Sequence, residues 1–307
     1  RRVSEMGVLT VYRKTVADLS SPKVLVAYFV PFLVINAMLA LGAANDVESG
    51  MTLAQQETVL STQFAFITFL LILGFPFLAL VAVFGANTLA KEAEKGTLRI
   101  LLSKPTRRWK ILVATYAAIV TYSLLIALAS MLMVAVMMYV WSGVHPVTLS
   151  AGIFAWFPAS LVYALLGASV VGSLALALAV WTGDRLKTAL GALSVAALHF
   201  GFVAVRVFVG DERYEDYFLY LFDVNYHFGQ AFVFVHRVIG DGFGVETQAM
   251  LAGPSGVYEP SPEHSGSQPD SLALVELVPL EVSLFLLGLV AVGAFAVALW
   301  RFQRMDV

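Results

Sequence analysis

The chain has 307 residues, of which 59% are hydrophobic and 13% charged, and its mean hydropathy is +0.82. A soluble domain of this length has no way to hide so much apolar surface, so composition alone selects a membrane protein. The absence of cysteine excludes disulfides, thiolate metal sites and a cysteine nucleophile; the net charge of −2 says less than where the charges lie.

In chain order, the first element is amphipathic. Val8, Tyr12, Val16 and Leu19 share one helical face, with Arg13, Lys14 and Asp18 elsewhere, so 1–23 is read as a helix lying on the cytoplasmic membrane surface. Six apolar runs follow, near 24–44, 64–86, 111–141, 153–181, 188–209 and 279–300. Each is long enough for the roughly 20 helical residues that cross a bilayer core. The first run lacks a small-residue cleavage pattern and reads as a span, not a leader. Pro31 and Pro76 are expected to kink the first two spans. The third and fourth are long enough to tilt, kink or project from the bilayer. Met131, Met133, Met137 and Met138 in the third span read as packing groups in preference to a thioether metal path. Ala164, Ala168 and Gly172, four apart on the fourth, mark a close helix contact, either within the subunit or across a dimer. His199 in the fifth reads as an interhelical hydrogen bond. The fold class expected is an all-α membrane protein with a 24–307 transmembrane domain of six helices.

Sixteen of the nineteen Lys and Arg residues fall in 1–23, 86–110, 182–187 and 301–307. By the positive-inside rule both termini are cytoplasmic, and 210–278 forms an outer loop. Within that loop, Tyr217 to Val235 is apolar, but Asp223, Asn225, His227 and Gln230 interrupt it. A central Asp costs roughly 2.5–3.5 kcal/mol in a span. The stretch is therefore expected to be a re-entrant or interfacial helix pair with Gly229 near its bend. Asp223, His227 and His236 read as hydrogen-bonding anchors, with a metal site as the weaker alternative. Residues 241–276, rich in Gly, Pro, Ser and acids, are expected to be largely disordered.

The segment 87–110 contains KEAEKGTLRILLSKPTRRWK, with seven basic residues. Glu92 and Glu94 extend the second span, Gly96 breaks the helix, and Thr97 is placed as the N-cap of a short helix. Leu98, Leu101 and Leu102 give that helix an apolar side. Pro105 stops it, and Arg107 and Arg108 anchor the third span. A mere tether needs none of this design. Asp184, Arg185 and Lys187, in the turn 182–187, form a second cytoplasmic candidate. No phosphate loop, HExxH or GxSxG is present, so no nucleotide or hydrolase chemistry is expected in this chain. The span interiors before the sixth are nearly free of acids, which argues against an ion-coupled carrier.

Acid-x-acid-x-Gly-Thr-Leu, then Leu-Leu-Ser-x-Pro and basic residues (Glu92, Glu94, Gly96, Thr97, Leu98, Leu101, Leu102, Ser103, Pro105, Arg107 or Arg108) resembles the first cytoplasmic loop of ABC type-2 permeases. It is most like the branch that includes the permease of the nitrous-oxide-reductase maturation system. Ala114-Thr115 stands where the family often has Gly-Lys, and Asn225-Tyr226 where it often has Asn-Pro. The resemblance implies a non-enzymatic permease of an ATP-driven exporter in a prokaryotic plasma membrane. It implies a separate dimeric ABC ATPase that holds ATP and Mg and grips the 97–105 helix, with a second permease copy or related permease alongside. No cofactor in this chain and no nucleic-acid partner are implied. The alternatives are a mechanical module acting on an extracytoplasmic partner, or a stand-alone carrier or channel.

Overall fold

A computed structural model describes residues 7–47, 50–102, 107–240, 242–260 and 272–305. Its elements are α1 (Val8–Leu19), α2 (Pro22–Asn45), α3 (Leu53–Ile67), a π-turn (Thr68–Ile72), α4 (Phe75–Gly85), a second π-turn (Ala86–Ala90), α5 (Lys91–Glu94), α6 (Thr97–Leu102) and α7 (Arg108–Ser142). Then come α8 (Pro146–Gly152), a 3₁₀ turn (Phe154–Trp156), α9 (Phe157–Thr182), α10 (Arg185–Val209), α11 (Asp211–Asp216), a 3₁₀ turn (Leu219–Leu221), α12 (Val224–Ile239) and α13 (Val245–Ser255). A two-stranded antiparallel hairpin, β1 (Tyr258–Pro260) with β2 (Leu272–Leu274), precedes α14 (Leu280–Gln303).

Six helical segments are long and apolar enough to cross a membrane: Pro22–Ala43, Leu53–Glu94, Arg108–Ser142, Pro146–Thr182, Arg185–Val209 and Leu280–Gln303. The chain is an all-α membrane protein of six spans, as its apolar runs predict. α9 is the central post, packed against α14, α7, α10, α4 and α12. Its small residues are what let neighbours approach. Gly167 faces Leu78 of α4, and Gly172 faces Ile119 and Tyr116 of α7. Ala164 and Ala168 are fully buried. Of the two readings of that stripe, contact within the subunit is the one these residues make. Met131 and Met138 are likewise packed in the core.

The second span departs most from a simple kinked helix. It runs 42 residues from Leu53 to Glu94 and is interrupted twice by π-turns. Pro76 sits at the start of a fresh helix, α4, after a break at Gly74, where its missing N–H is no loss. Pro31 lies inside α2, which continues through it.

The segment between α10 and α14 is more ordered than its composition suggests. α12 is a single helix whose N-cap, Asp223, accepts from the Tyr226 amide at 2.9 Å. Gly229 does not bend it. A Cβ there would come within 2.9 Å of Val257 and 3.0 Å of Ser255, so the glycine admits the α13–β1 connection against the helix. α13 is held against α3 by the Thr62–Thr247 hydroxyl pair at 2.8 Å, and Leu251 and Val257 are fully buried. Expected disorder is corrected for 242–260 and 272–276; residues 241 and 261–271 lie outside the described residues. His199 is also corrected. Both of its ring nitrogens are buried without a hydrogen-bond partner, and the ring packs edge-on against Phe69 and Phe228.

α4 and α9 approach closely at the end of α4, where a Cβ on Gly85 would collide with the Cβ of Ala175 on α9. Gly85→Ala is expected to lose about 1–3 kcal/mol to overpacking, read as a lower thermal unfolding midpoint in detergent. Ala175→Gly in the same chain is expected to restore most of the loss.

Candidate functional site

Below Gly85 the second span unwinds and re-forms as the handle. Thr88 leaves helical geometry (φ −103°, ψ −109°), and its hydroxyl donates to the Gly85 carbonyl at 2.6 Å. The bend re-aims the chain into α5. Gly96 then adopts φ +72° with open space where a Cβ would stand, so conformation alone demands glycine there, by roughly 1–2 kcal/mol. The Lys95 and Gly96 amides close the turn on the Lys91 and Ala93 carbonyls at 3.1 and 3.0 Å.

Thr97 is the first residue of α6, not its cap. Its hydroxyl donates backwards, to the Glu92 carboxylate and to the Glu92 carbonyl at 3.2 Å, stapling α6 onto α5. Glu92 also accepts from Lys14 of α1 at 2.9 Å. Leu98 is buried in the chain's own core, whereas Glu94 and Ile100 are exposed. The side chains of Leu101 and Leu102, and all of Ser103, Pro105 and Thr106, lie outside the described residues. Arg107 precedes α7 without a side-chain capping bond. Arg108 donates to the Gln303 carbonyl at 3.0 Å and to the Met305 carbonyl, tying the C-terminal end of α14 to the same place.

The turn 182–187 meets the handle. Gly183 (φ +61°) ends α9, and a Cβ there would lie 3.9 Å from the Cβ of Ala93. Asp184 caps α10 by accepting from the Lys187 amide at 2.9 Å; that bond holds its carboxyl below the usual carboxylate range. Arg185, Leu186 and Lys187 project outward, exposed. Arg301 lies over the Trp181 ring at 6.0 Å. Thus α1, the handle, the 182–187 turn and the end of α14 gather at one end of the bundle. Between α1, the bend and α7 lies a small cavity of ≈ 170 Å³, lined by Thr10, Lys14, Asn87, Thr88, Glu92 and Thr115 among others.

The sequence marks Glu92, Gly96 and Thr97 in the handle and Asn87 or Thr88 as the end of the second span, but it gives no sign that Lys14 and Ala93 meet them here. The Lys14–Glu92 contact joins residues 78 positions apart. No local pattern marks it, since Lys14 reads as a solvated residue of α1. The only local signal for the bend at Thr88 was the polar pair Asn87-Thr88 closing an apolar run.

At the opposite end, Arg206 of α10 is a clamp. Its guanidinium donates to the Ser255 carbonyl at 2.6 Å, the Pro254 carbonyl at 3.1 Å and the Asn225 side chain, and it lies 3.7 Å from the Asp223 carboxylate. Gly256 exists because any Cβ there would strike that guanidinium. Asp223 also accepts from Tyr214 at 2.7 Å; burial, and then the carboxylate, push the Tyr214 hydroxyl far up. His227 bonds Ser283 at 2.9 Å and the Leu221 carbonyl at 3.1 Å. His236 bonds Ser160 at 3.1 Å and the Phe232 carbonyl at 2.8 Å, and burial pulls its imidazole down to about 4. These three side chains are thus hydrogen-bonding anchors. Among the described residues no three His, Asp or Glu side chains are grouped to hold a metal.

Two outcomes follow from the geometry. Thr97→Val is expected to raise amide hydrogen exchange across 97–102 several-fold, since a lost buried or half-buried hydrogen bond is worth about 1 kcal/mol; Thr97→Ser is expected to keep wild-type protection. Arg206→Met is expected to cost about 3–5 kcal/mol, the usual penalty for leaving a buried carboxylate unpaired, seen as a large drop in unfolding midpoint, with Arg206→Met/Asp223→Asn recovering part of it.

The chain matches, over residues 9–307, the family model described as ABC-2 family transporter protein. No curated protein matches it.

Proposed function

Because the chain belongs to the ABC-2 transporter family, and so is a membrane-spanning permease subunit of an ATP-driven transporter, we propose that it is an exporter permease driven through the handle by a separate ATPase. ATP and Mg reside on that partner. Glu92, Glu94, Gly96, Thr97, Leu98, Leu101, Leu102, Pro105, Arg107 and Arg108 form or brace the docking helix, and Asp184, Arg185 and Lys187 add a smaller contact. The end of the bundle that carries them faces the cytoplasm, which puts both termini inside a prokaryotic plasma membrane, in line with the charge count. The working unit pairs this chain with a second copy or a related permease. The acid-x-acid-x-Gly-Thr-Leu pattern supports membership of the branch that contains the nitrous-oxide-reductase maturation permease.

The single observation behind this reading is the staple of Thr97 and Lys14 on Glu92. A loop that only connects two spans has no use for being fastened to both α1 and α5. Fastened, it acts as a lever: a push on α6 reaches α4 through the bend at Thr88 and α9 through Gly85. ATPase closure would then tilt the spans and switch the path between the paired permeases.

A second reading has its own observation. The Arg206 clamp joins span five to the ordered segment at the far end, so motion of the spans would also move that segment. A module that passes ATPase work to an extracytoplasmic partner needs such a link.

Replacing Leu101 and Leu102 with Asp is expected to abolish co-purification of the ATPase, or weaken it by about tenfold or more, and to remove permease-stimulated ATP turnover, since losing a buried anchor at an interface costs about 2 kcal/mol or more and about 1.4 kcal/mol is tenfold in affinity. Unchanged binding and turnover would sink the docking assignment.

A further inference from the structure

The end of the bundle opposite the handle holds a recess of ≈ 330 Å³ between the last turn of α12, the start of α13 and the β1–β2 hairpin. Arg237, Gly242, Phe243, Gln248 and Tyr258 are among the residues that line it. Its walls are fixed. Phe243 stacks on Trp156 with ring centres 4.9 Å apart and lies 5.1 Å from His236. Gln248 donates to the Phe243 carbonyl at 2.6 Å. Tyr258 is 7% exposed, and its strand is paired in register with β2.

Arg237 is the unusual member. It is exposed in the recess, and among the described residues no carboxylate pairs with it. Arg206, by contrast, is paired with Asp223 and carbonyls. Nor does Arg237 serve the charge asymmetry of the chain, because basic residues are sparse in 210–278. Burial pushes the Tyr258 hydroxyl up, while the Arg237 charge acts on it in the opposite sense. The phenol therefore stays a neutral donor within the field of the guanidinium. A planar five-donor fork that shares one recess with a phenol hydroxyl supplies the donors that recognise two oxygens of one anion.

We propose that this recess is a binding site for an anionic group, a carboxylate or a phosphate, with Arg237 as the bidentate donor and Tyr258 as the orienting hydroxyl. Its volume of ≈ 330 Å³ admits a dicarboxylate or a phosphate headgroup. The site is independent of the docking assignment for the handle.

The test uses the purified full chain in neutral detergent, titrated with succinate and with inorganic phosphate at ionic strength held constant with sodium chloride. Trp156, stacked on a wall of the recess, is the reporter; Trp156→Phe identifies its share of the fluorescence. A saturable change is expected with at least one of the two anions. Arg237→Gln is expected to weaken its binding about tenfold or more and Tyr258→Phe several-fold, with the thermal unfolding midpoint unmoved. Arg237→Lys, which keeps the charge without the fork, is expected to fall between wild type and Arg237→Gln, and it replaces Arg237→Gln if that variant does not fold. Nanodiscs separate the sources of the group. A response in phosphatidylcholine discs that is absent in phosphatidylglycerol discs assigns the site to a lipid headgroup; a response in both assigns it to a soluble ligand. No saturable change with either anion, or wild-type affinity in both the Gln and Lys variants, would overturn the proposal and leave Arg237 as a helix-end charge only.

Discussion

The close approach of α4 to α9 at Gly85 and Ala175 is the contact on which the rest of the architecture depends. Helices in a bilayer gain nothing from burying apolar surface against one another, since lipid is equally apolar, so van der Waals fit between small residues decides where they touch. Here that fit pins the second span to the central post one residue before it unwinds. The bend at Thr88, the α5–α6 pair, the seat of α1 over Glu92 and the proximity of Ala93 to Gly183 all follow from that anchor. If α4 were free to slide, the handle would have no fixed position relative to the spans it is proposed to move.

The handle is therefore better described as a corner than as a loop. Three fasteners of different chemistry hold it: a steric one at Gly85, a hydrogen-bonded one at Thr97, and an ion pair with Lys14 that is partly exposed and contributes little stability by itself. Leu98 faces the chain's own core and Ile100 faces out, so the short helix has one side committed to the permease and another presented. That division is what a transmission element needs.

The six spans and the break at Gly96 were legible because each rests on a local property: the length of an apolar run, or a residue that tolerates φ > 0. What was not legible depends on partners distant in sequence. The stretch after α12 is polar and rich in glycine and proline, so it reads as disordered, yet α13 and the hairpin find their apolar cover on α3 and α12 through Leu251, Val257 and Gly229. Gly229 reads as a bend for the same reason. Its role is the absence of a side chain facing another element, not the freedom of its own backbone. The ion pair of Lys14 with Glu92 belongs to the same class. Thr97 reads as an N-cap that accepts from an orphan amide ahead of it, yet it is the first residue of α6 and its hydroxyl donates to the carboxylate five residues behind it. His199 illustrates the converse: a polar ring inside a span whose neighbours proved to be Phe69 and Phe228.

If the handle and the 182–187 turn face the ATPase, as proposed, the α8 end of the bundle does not. The chain contains no cysteine, so single cysteines can be placed at will. Ile100→Cys, Leu186→Cys and Val147→Cys, all at exposed positions, would each be treated with a short bifunctional reagent in membranes that hold both subunits. Nucleotide-dependent crosslinks to the ATPase are expected from positions 100 and 186 and none from 147. Crosslinks from 147, or none from 100 and 186 in a complex that still co-purifies, would contradict the docking assignment.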